Sequence, residues 1–319
     1  MKIFFYVDSF GLGHITRQVA LIRAIGTRAN IIILSSGHLD FIKKSLPQAR
    51  VEKILPTLNF VPSGLGLNFE KTHMANRNLS EHFSSNVRTE IQRLEKEKPD
   101  LIVADIPAEI FVAADAVGIP IIAISNFGWT IILEHIFGKS SDFYSLYSHA
   151  YSKSSKTFVL PFSEPMSCFS KKEKIGLLRR HPTINMQKKI GIVSAFGYSI
   201  ESQQTKSKFF SIPKTETESQ NFISAASAIF AKPSYGIISE SIPYGIPLFF
   251  KLRKNFPESD YLLKSLNCAE TVPDDVEPFD WITQRLPELN FEKIQEMAEK
   301  YSSNSDIYLA NSILSFPSV

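Results

Sequence analysis

The passage over residues 3–25 constrains this chain most. An apolar run at residues 3–7 leads into Asp8-Ser9-Phe10-Gly11-Leu12-Gly13-His14-Ile15-Thr16-Arg17. Beyond it, Ile15, Val19, Ile22 and Ile25 recur at helical spacing and share one face. The pattern predicts a strand, a tight glycine turn and a helix start. Gly11 and Gly13 permit backbone angles and close approaches that side chains forbid. The unpaired N–H groups of the helix start favour an anion or a polar oxygen in the turn. His14 stands there either as a base working near neutral pH or as a helix cap. Two familiar motifs fail. A dinucleotide fingerprint wants a third glycine where Thr16 stands, and an acid after the second strand, where Ser35-Ser36-Gly37 stands. Gly138-Lys139-Ser140 resembles the end of a phosphate loop, but Leu133 holds the place of its first glycine.

Short apolar runs recur at residues 31–34, 51–54, 101–104 and 119–125, the form of parallel strands covered on both faces. Helical stripes lie between them: Leu79, Phe83, Val87, Ile91 and Leu94, then Ile110, Phe111, Ala114 and Val117, closed by Gly118. Alternation of this kind predicts a doubly wound α/β sheet, whose ligands sit beyond the carboxyl ends of the strands. Asp8, Asp105 and Asn126 all fall just past strand ends beside the glycine turn; Asp105 reads equally as a helix cap. Residues 55–74 lack a period and carry Pro56, Pro62, Gly64 and Gly66, which predicts a long acceptor-side loop. The aromatics of Phe127-Gly128-Trp129 and of residues 137–151 read mainly as interior packing.

A strand at 157–160 ends the first half. Residues 161–189 carry Pro161, Pro165, Pro182 and the basic residues Lys171, Lys172, Lys174, Arg179, Arg180, Lys188 and Lys189, and read as a solvated linker able to meet anionic lipid heads. The pattern then restarts with a strand at 190–193 and a turn ending at Gly197. A second glycine-bounded segment, Lys232-Pro233-Ser234-Tyr235-Gly236, opens a short helix that carries Ser239 and Glu240 and ends at Gly245. Its start is a second place for an anion. Glu240 reads as a carboxylate for vicinal hydroxyls or as favourable dipole placement. Pro243 inside that helix predicts a kink.

The 319 residues suffice for two domains, and 44% hydrophobic with 21% charged content is globular. A net charge of +3 gives no reason to expect nucleic acid. Cys168 and Cys268 are too few for a disulfide framework or a metal cluster and suit a reducing cytoplasm. Asp8 interrupts the first apolar run too early for a signal peptide. Residues 119–137 contain Asn126, Gly128, Glu134 and His135 and read as a buried strand leaving into a loop, not as a membrane span.

Three segments carry a family likeness: Gly11 to Arg17; Lys98-Pro99-Asp100 through Asp105 with Gly118-Ile119-Pro120 and Ser125 to Trp129; and Lys232 to Pro247. Together they resemble the GT-B glycosyltransferases, and within them family 28 and the glycosyltransferase-like domain of arabinokinases. The first segment is also similar to the sugar-nucleotide hydrolase of pseudaminic acid synthesis. The resemblance implies two Rossmann-like domains with a cleft between them. It divides the chain into an acceptor-side domain at 1–162, a shortened nucleotide-sugar domain at 163–303, and a terminal helix at 304–319 packing back on the first. It places His14 at the reaction centre, and the catalytic candidates are His14 and Asp105. Gly11, Arg17, Asn126 and Trp129 fall on the acceptor side. The donor falls to Gly13, Gly197, Lys232, Ser234, Tyr235, Gly236, Ser239, Glu240, Glu258, Ser259 and Asp260, with Glu240 on the ribose. The departures are the sparse second glycine turn, the short stretch 198–231 and Pro243.

The expected function is an inverting, metal-independent transferase using a nucleotide sugar, in the first instance UDP-linked, with no further cofactor. The acceptor is a glycan, a lipid or a small molecule, and the location is cytoplasmic, extending to the inner membrane face. The alternatives are a UDP-sugar hydrolase and a non-catalytic nucleotide-sugar-binding protein; a non-hydrolysing epimerase shares the architecture without specific support.

Overall fold

The computed structural model describes residues 1–56, 58–184, 191–195, 209–213, 215–253, 255–266 and 268–317. Among them the strands are β1 (Lys2–Val7), β2 (Asn30–Ser35), β3 (Arg50–Lys53), β4 (Pro62–Ser63), β5 (Gly66–Leu67), β6 (Leu101–Ala104), β7 (Ile121–Ser125), β8 (Lys156–Val159), β9 (Lys172–Lys174), β10 (Ile192–Ala195), β11 (Phe209–Ile212), β12 (Ala228–Ala231), β13 (Leu248–Phe250) and β14 (Ala269–Thr271). One parallel sheet has the order β3-β2-β1-β6-β7-β8-β9 and a second the order β11-β10-β12-β13-β14. Both orders reverse once, between β1 and β6 and between β10 and β12, so each sheet has the switch point of a doubly wound fold.

Alternation explains how the apolar runs are used. Ile3, Phe5 and Val7 of β1 enter one core, while Phe4 and Tyr6 enter the core on the opposite face. The first of these cores does not stop at the half boundary. It takes in Ile15 and Val19 of the helix Leu12–Ile25, Leu177 and Leu178 of the connection, Val193 and Ile229 of the second sheet, and Leu309, Ala310 and Ile313 of the last helix, Asp306–Leu314.

Several elements depart from the sequence expectations. β9 lies beyond residue 162 in the chain and completes the first sheet. The basic stretch is only partly solvated. Arg179 and Arg180 are buried, whereas Lys171, Lys172 and Lys174 are exposed; Lys188 and Lys189 lie outside the described residues. The returning chain runs beside this connection. Ser305 N–H donates to the Leu177 carbonyl at 2.7 Å and the Asn304 amide to the Arg179 carbonyl at 2.8 Å. Residues 55–74 hold the β4–β5 hairpin and the start of the helix Phe69–Ala75, whose N-cap Asn68 accepts from Lys71 N–H. Residues 130–152 form the helices Thr130–Phe137 and Asp142–Ser152 rather than a loop. Pro243 does not kink the helix Tyr235–Ser241. That helix ends first, and Pro243 sits at the start of a 3-10 turn, Ile242–Tyr244, closed by Gly245 at φ 61°.

Candidate active site

The loops after β1, β6 and β7 emerge side by side, because those strands are neighbours at the switch point. They bring Asp8, Asp105 and Asn126 to the start of the helix Leu12–Ile25. His14 Nδ1 lies 2.7 Å from Asp105 Oδ2, and Asp105 is fully buried. Arg17 closes on the same carboxylate. Its Nε donates to Oδ2 at 3.2 Å and its Nη2 to Oδ1. Nη1 donates to Asn126 Oδ1 at 2.6 Å and Nη2 to Ser125 Oγ at 3.0 Å. Burial alone would push the Asp105 carboxyl up, but the charges of Arg17 and His14, with their hydrogen bonds, hold it below the usual carboxylate range.

Asp8 behaves oppositely. It accepts from Phe10 N–H at 2.7 Å and from Trp129 Nε1 at 2.9 Å. Burial raises its pKa against the opposing influence of His14 and those two bonds, because neither donor carries a full charge. Asp8 and Trp129 border a cavity of about 140 Å³ that also meets Phe10, Phe60, Glu109 and Tyr147. Its aromatic walls are packed edge to face or tilted, with Phe60 4.6 Å from both Phe10 and Trp129. The cavity is one side chain removed from His14, whose ring lies 6.3 Å from that of Trp129.

The second half meets this site directly. Gly236, at the start of the helix Tyr235–Ser241, approaches Gly13 so closely that a Cβ on Gly236 would stand 3.2 Å from Gly13 Cα and from Thr16 Oγ1. The close approach that the glycines permit is therefore between the two helix starts. Gly11 has an extended φ of 167° and open space around it. The Arg17 guanidinium lies 5.5 Å from the centre of the Tyr235 ring, and Asn126 donates to Glu258 Oε1 at 3.2 Å. Phe10 stacks on Phe256 at 5.8 Å, and Arg253 Nε donates to the Leu65 carbonyl at the hairpin tip at 3.0 Å.

His14, Asp105, Arg17, Asn126, Gly13, Tyr235, Gly236 and Glu258 thus form one contiguous group. Trp129 joins it through Asp8. Ser259 is buried beside Glu258, with its hydroxyl unpartnered among the described residues, while Asp260 is exposed. Ser234 and Lys232 are half-buried behind the second helix start, and Ser239 donates back to the Gly236 carbonyl at 3.1 Å. Gly197 lies outside the described residues.

Glu240 has a charged partner of its own. It is buried, and its two oxygens accept from Arg180 Nε at 2.7 Å and Nη2 at 3.1 Å. Arg180 also donates to the Thr217 carbonyl and, at 2.8 Å, to Ser219 Oγ. A carboxylate enclosed this deeply needs a charged partner, and the guanidinium supplies it. Sequence reasoning did not assign Arg180, Ser125, Phe60 or Phe256 to the site. The signal for Arg180 was a pair of arginines directly after Leu177-Leu178; that for Ser125 was a hydroxyl ending an apolar run. Phe60 and Phe256 lie on loops and gave none.

No protein-family model matches the chain. Among curated proteins it is similar to the L-arabinokinase of Arabidopsis thaliana, 23% identical over 305 residues that cover 82% of this chain. The chain spans 29% of the length of that relative. Among solved structures it resembles UGT89C1 of Arabidopsis thaliana complexed with UDP-L-rhamnose, with a TM-score of 0.65, 14% identity, and 100% and 99% of the two chains covered. It resembles the glycosyltransferase SnogD from Streptomyces nogalater with a TM-score of 0.61 and 13% identity over 99% of each chain. It also resembles the glycosyltransferase VinC in complex with DTDP, with a TM-score of 0.63 and 14% identity over 98% of each chain. The match runs through both sheets and the returning helix, and the chain has the GT-B fold, two Rossmann-like α/β domains facing each other, that these glycosyltransferases share.

Proposed function

We propose that the protein is an inverting, metal-independent glycosyltransferase that takes its sugar from a nucleotide sugar, UDP-linked in the first instance. The observation that carries this reading is the buried His14–Asp105 pair at 2.7 Å, set where the two domains meet. Relatives of the same fold were solved with UDP-L-rhamnose and with DTDP. In the reaction, the acceptor oxygen bonds to the anomeric carbon as the bond from that carbon to the diphosphate oxygen breaks. The diphosphate leaves with the electron pair, and the acceptor proton passes to His14 Nε2. Asp105 accepts a hydrogen bond from Nδ1–H and, staying ionised, balances the imidazolium. The donor side is formed by Lys232, Ser234, Tyr235, Gly236, Glu258 and Ser259, and the acceptor is a small molecule held at the aromatic cavity beside Asp8. No further cofactor is invoked. The setting is a reducing cytoplasm, in which Cys168 and Cys268 stay free.

A second reading, a nucleotide-sugar-binding protein without turnover, is favoured by one observation: Arg180 takes both oxygens of Glu240. Release of UDP from a panel of UDP-sugars, with and without small-molecule acceptors, separates the readings. Transfer gives acceptor-dependent release that falls about 10²–10⁴-fold in His14→Ala. Acceptor-independent release points to hydrolysis. Binding of UDP in calorimetry with no release from any UDP-sugar supports the second reading.

A further inference from the structure

We propose that Ser125 is a positioning residue that decides which nitrogen of His14 carries the proton, acting through Arg17. The inference rests on the reading of His14 as the base.

His14 Nδ1 has two neighbours at the same distance: Asp105 Oδ2 at 2.7 Å and Arg17 Nη2 at 2.7 Å. They require opposite states. A carboxylate only accepts, so it calls for a proton on Nδ1 and leaves Nε2 bare. A guanidinium only donates, so it calls for a bare Nδ1 and moves the proton to Nε2. Only the first form offers Nε2 as a base.

The hydrogens of Arg17 settle the competition. Nε carries one, given to Asp105 Oδ2 at 3.2 Å, and Nη1 gives one to Asn126 Oδ1 at 2.6 Å. Nη2 carries two. One goes to Asp105 Oδ1 and the other to Ser125 Oγ at 3.0 Å. Ser125 is itself fully committed. Its hydroxyl donates to the Phe127 carbonyl at 2.8 Å and accepts from Phe127 N–H at 3.4 Å, so the remaining lone pair takes the Arg17 hydrogen. With both Nη2 hydrogens spent, none remains for His14, and Nδ1 keeps its proton and donates a hydrogen bond through it to Asp105. Removing the Ser125 hydroxyl strands one Nη2 hydrogen in a site where Ser125 and Arg17 are both buried. The nearest acceptor left to it is His14 Nδ1, and the proton of the neutral ring moves to Nε2.

The test is a long-range proton–nitrogen correlation spectrum of protein carrying ¹⁵N-histidine, with no donor or acceptor added. It is recorded at about pH 8, above the ordinary histidine range near 6.5. The His14 signals are identified by their loss in His14→Gln. In the wild type, Nδ1 should show the protonated shift and Nε2 the bare one. In Ser125→Ala the two should exchange, and Ser125→Ala combined with Arg17→Met should restore the wild-type pattern, since the competing donor is gone. Identical His14 tautomers in wild type and Ser125→Ala overturn the proposal. So does an Nε2-protonated or doubly protonated ring in the wild type. If the double variant does not fold, the Ser125→Ala comparison still decides. Because the spectrum needs no turnover, a failure of the transferase assay leaves this result standing, and a failed tautomer test leaves the assay standing.

Discussion

Asp105 and Asp8 both feel the charge of His14 and respond to pH in opposite directions. The folded pKa of Asp105 is depressed, so its contribution to stability is present above the unfolded value of about 3.9 and is lost as pH falls through the folded one. Asp8 is raised by burial, so it holds its proton more tightly when folded, and its contribution declines as pH rises from about 3.9 through the raised value. Urea midpoints measured from pH 7 down to pH 3 should therefore fall less steeply in Asp105→Asn than in the wild type, and equal slopes would remove Asp105 from the acid response. The pair Arg180–Glu240 tests a second point at this scale. Arg180→Met leaves a carboxylate buried without its partner and should cost about 3–5 kcal/mol of unfolding free energy. Arg180→Met with Glu240→Leu removes both charges and should recover most of that loss, as buried pairs replaced by apolar residues commonly do. A double variant as unstable as the single would show that Arg180 acts through its other bonds, to Thr217 and Ser219.

The elements of the site are held together where two helix starts touch. Gly236→Ala places a methyl 3.2 Å from Gly13 Cα, a backbone atom that moves only with its helix, and 3.2 Å from Thr16 Oγ1. The two helices must part, and the expected loss is about 1–3 kcal/mol, the scale of overpacking. Gly11→Ala has an extended backbone and open space, and should stay within about 0.5 kcal/mol of the wild type. Equal losses for both glycines in urea unfolding would mean that the turn, not the contact between helices, sets the requirement. The hairpin at β4–β5 belongs to this scale as well. Its tip is bonded by Arg253, whose guanidinium lies 3.3 Å from the Phe256 ring centre and whose pKa is lowered by burial to about 10. Arg253→Ala should raise hydrogen exchange over residues 62–67 without changing exchange in the first sheet.

At the scale of the molecule, one apolar core passes through both halves along the helices Leu12–Ile25 and Asp306–Leu314. Leu177 and Leu178 of the connection, read from the sequence as part of a solvated linker, are themselves fully buried in it. Outside that core, contacts between the halves around the site are polar or single rings, as in Asn126 to Glu258, Arg253 to Leu65 and Phe10 to Phe256. Two halves that share a core should unfold together. Scanning calorimetry should give one transition whose calorimetric and van't Hoff enthalpies agree. Two resolved transitions would place the shared core among the weaker contacts.

The sequence by itself determined the local pattern and, through it, the architecture. Continuous apolar strands such as Ile3 to Val7, alternating faces, helical stripes and the glycine turn are set by periods of two and 3.6 residues that need no distant partner. His14, Asp105 and Asn126 were legible as candidate site residues because each follows a strand whose place in a doubly wound sheet is fixed by topology. Only the tertiary structure decided what those residues bond to. His14 and Asp105 are 91 positions apart, and Arg180 and Glu240 are 60 apart. Whether Gly13 makes room for a ligand or for Gly236, and whether Glu240 meets hydroxyls or a guanidinium, depends on which side chain from the other end of the chain arrives first at a buried group. A buried charge accepts whichever partner the fold delivers, and local spacing carries no record of that delivery.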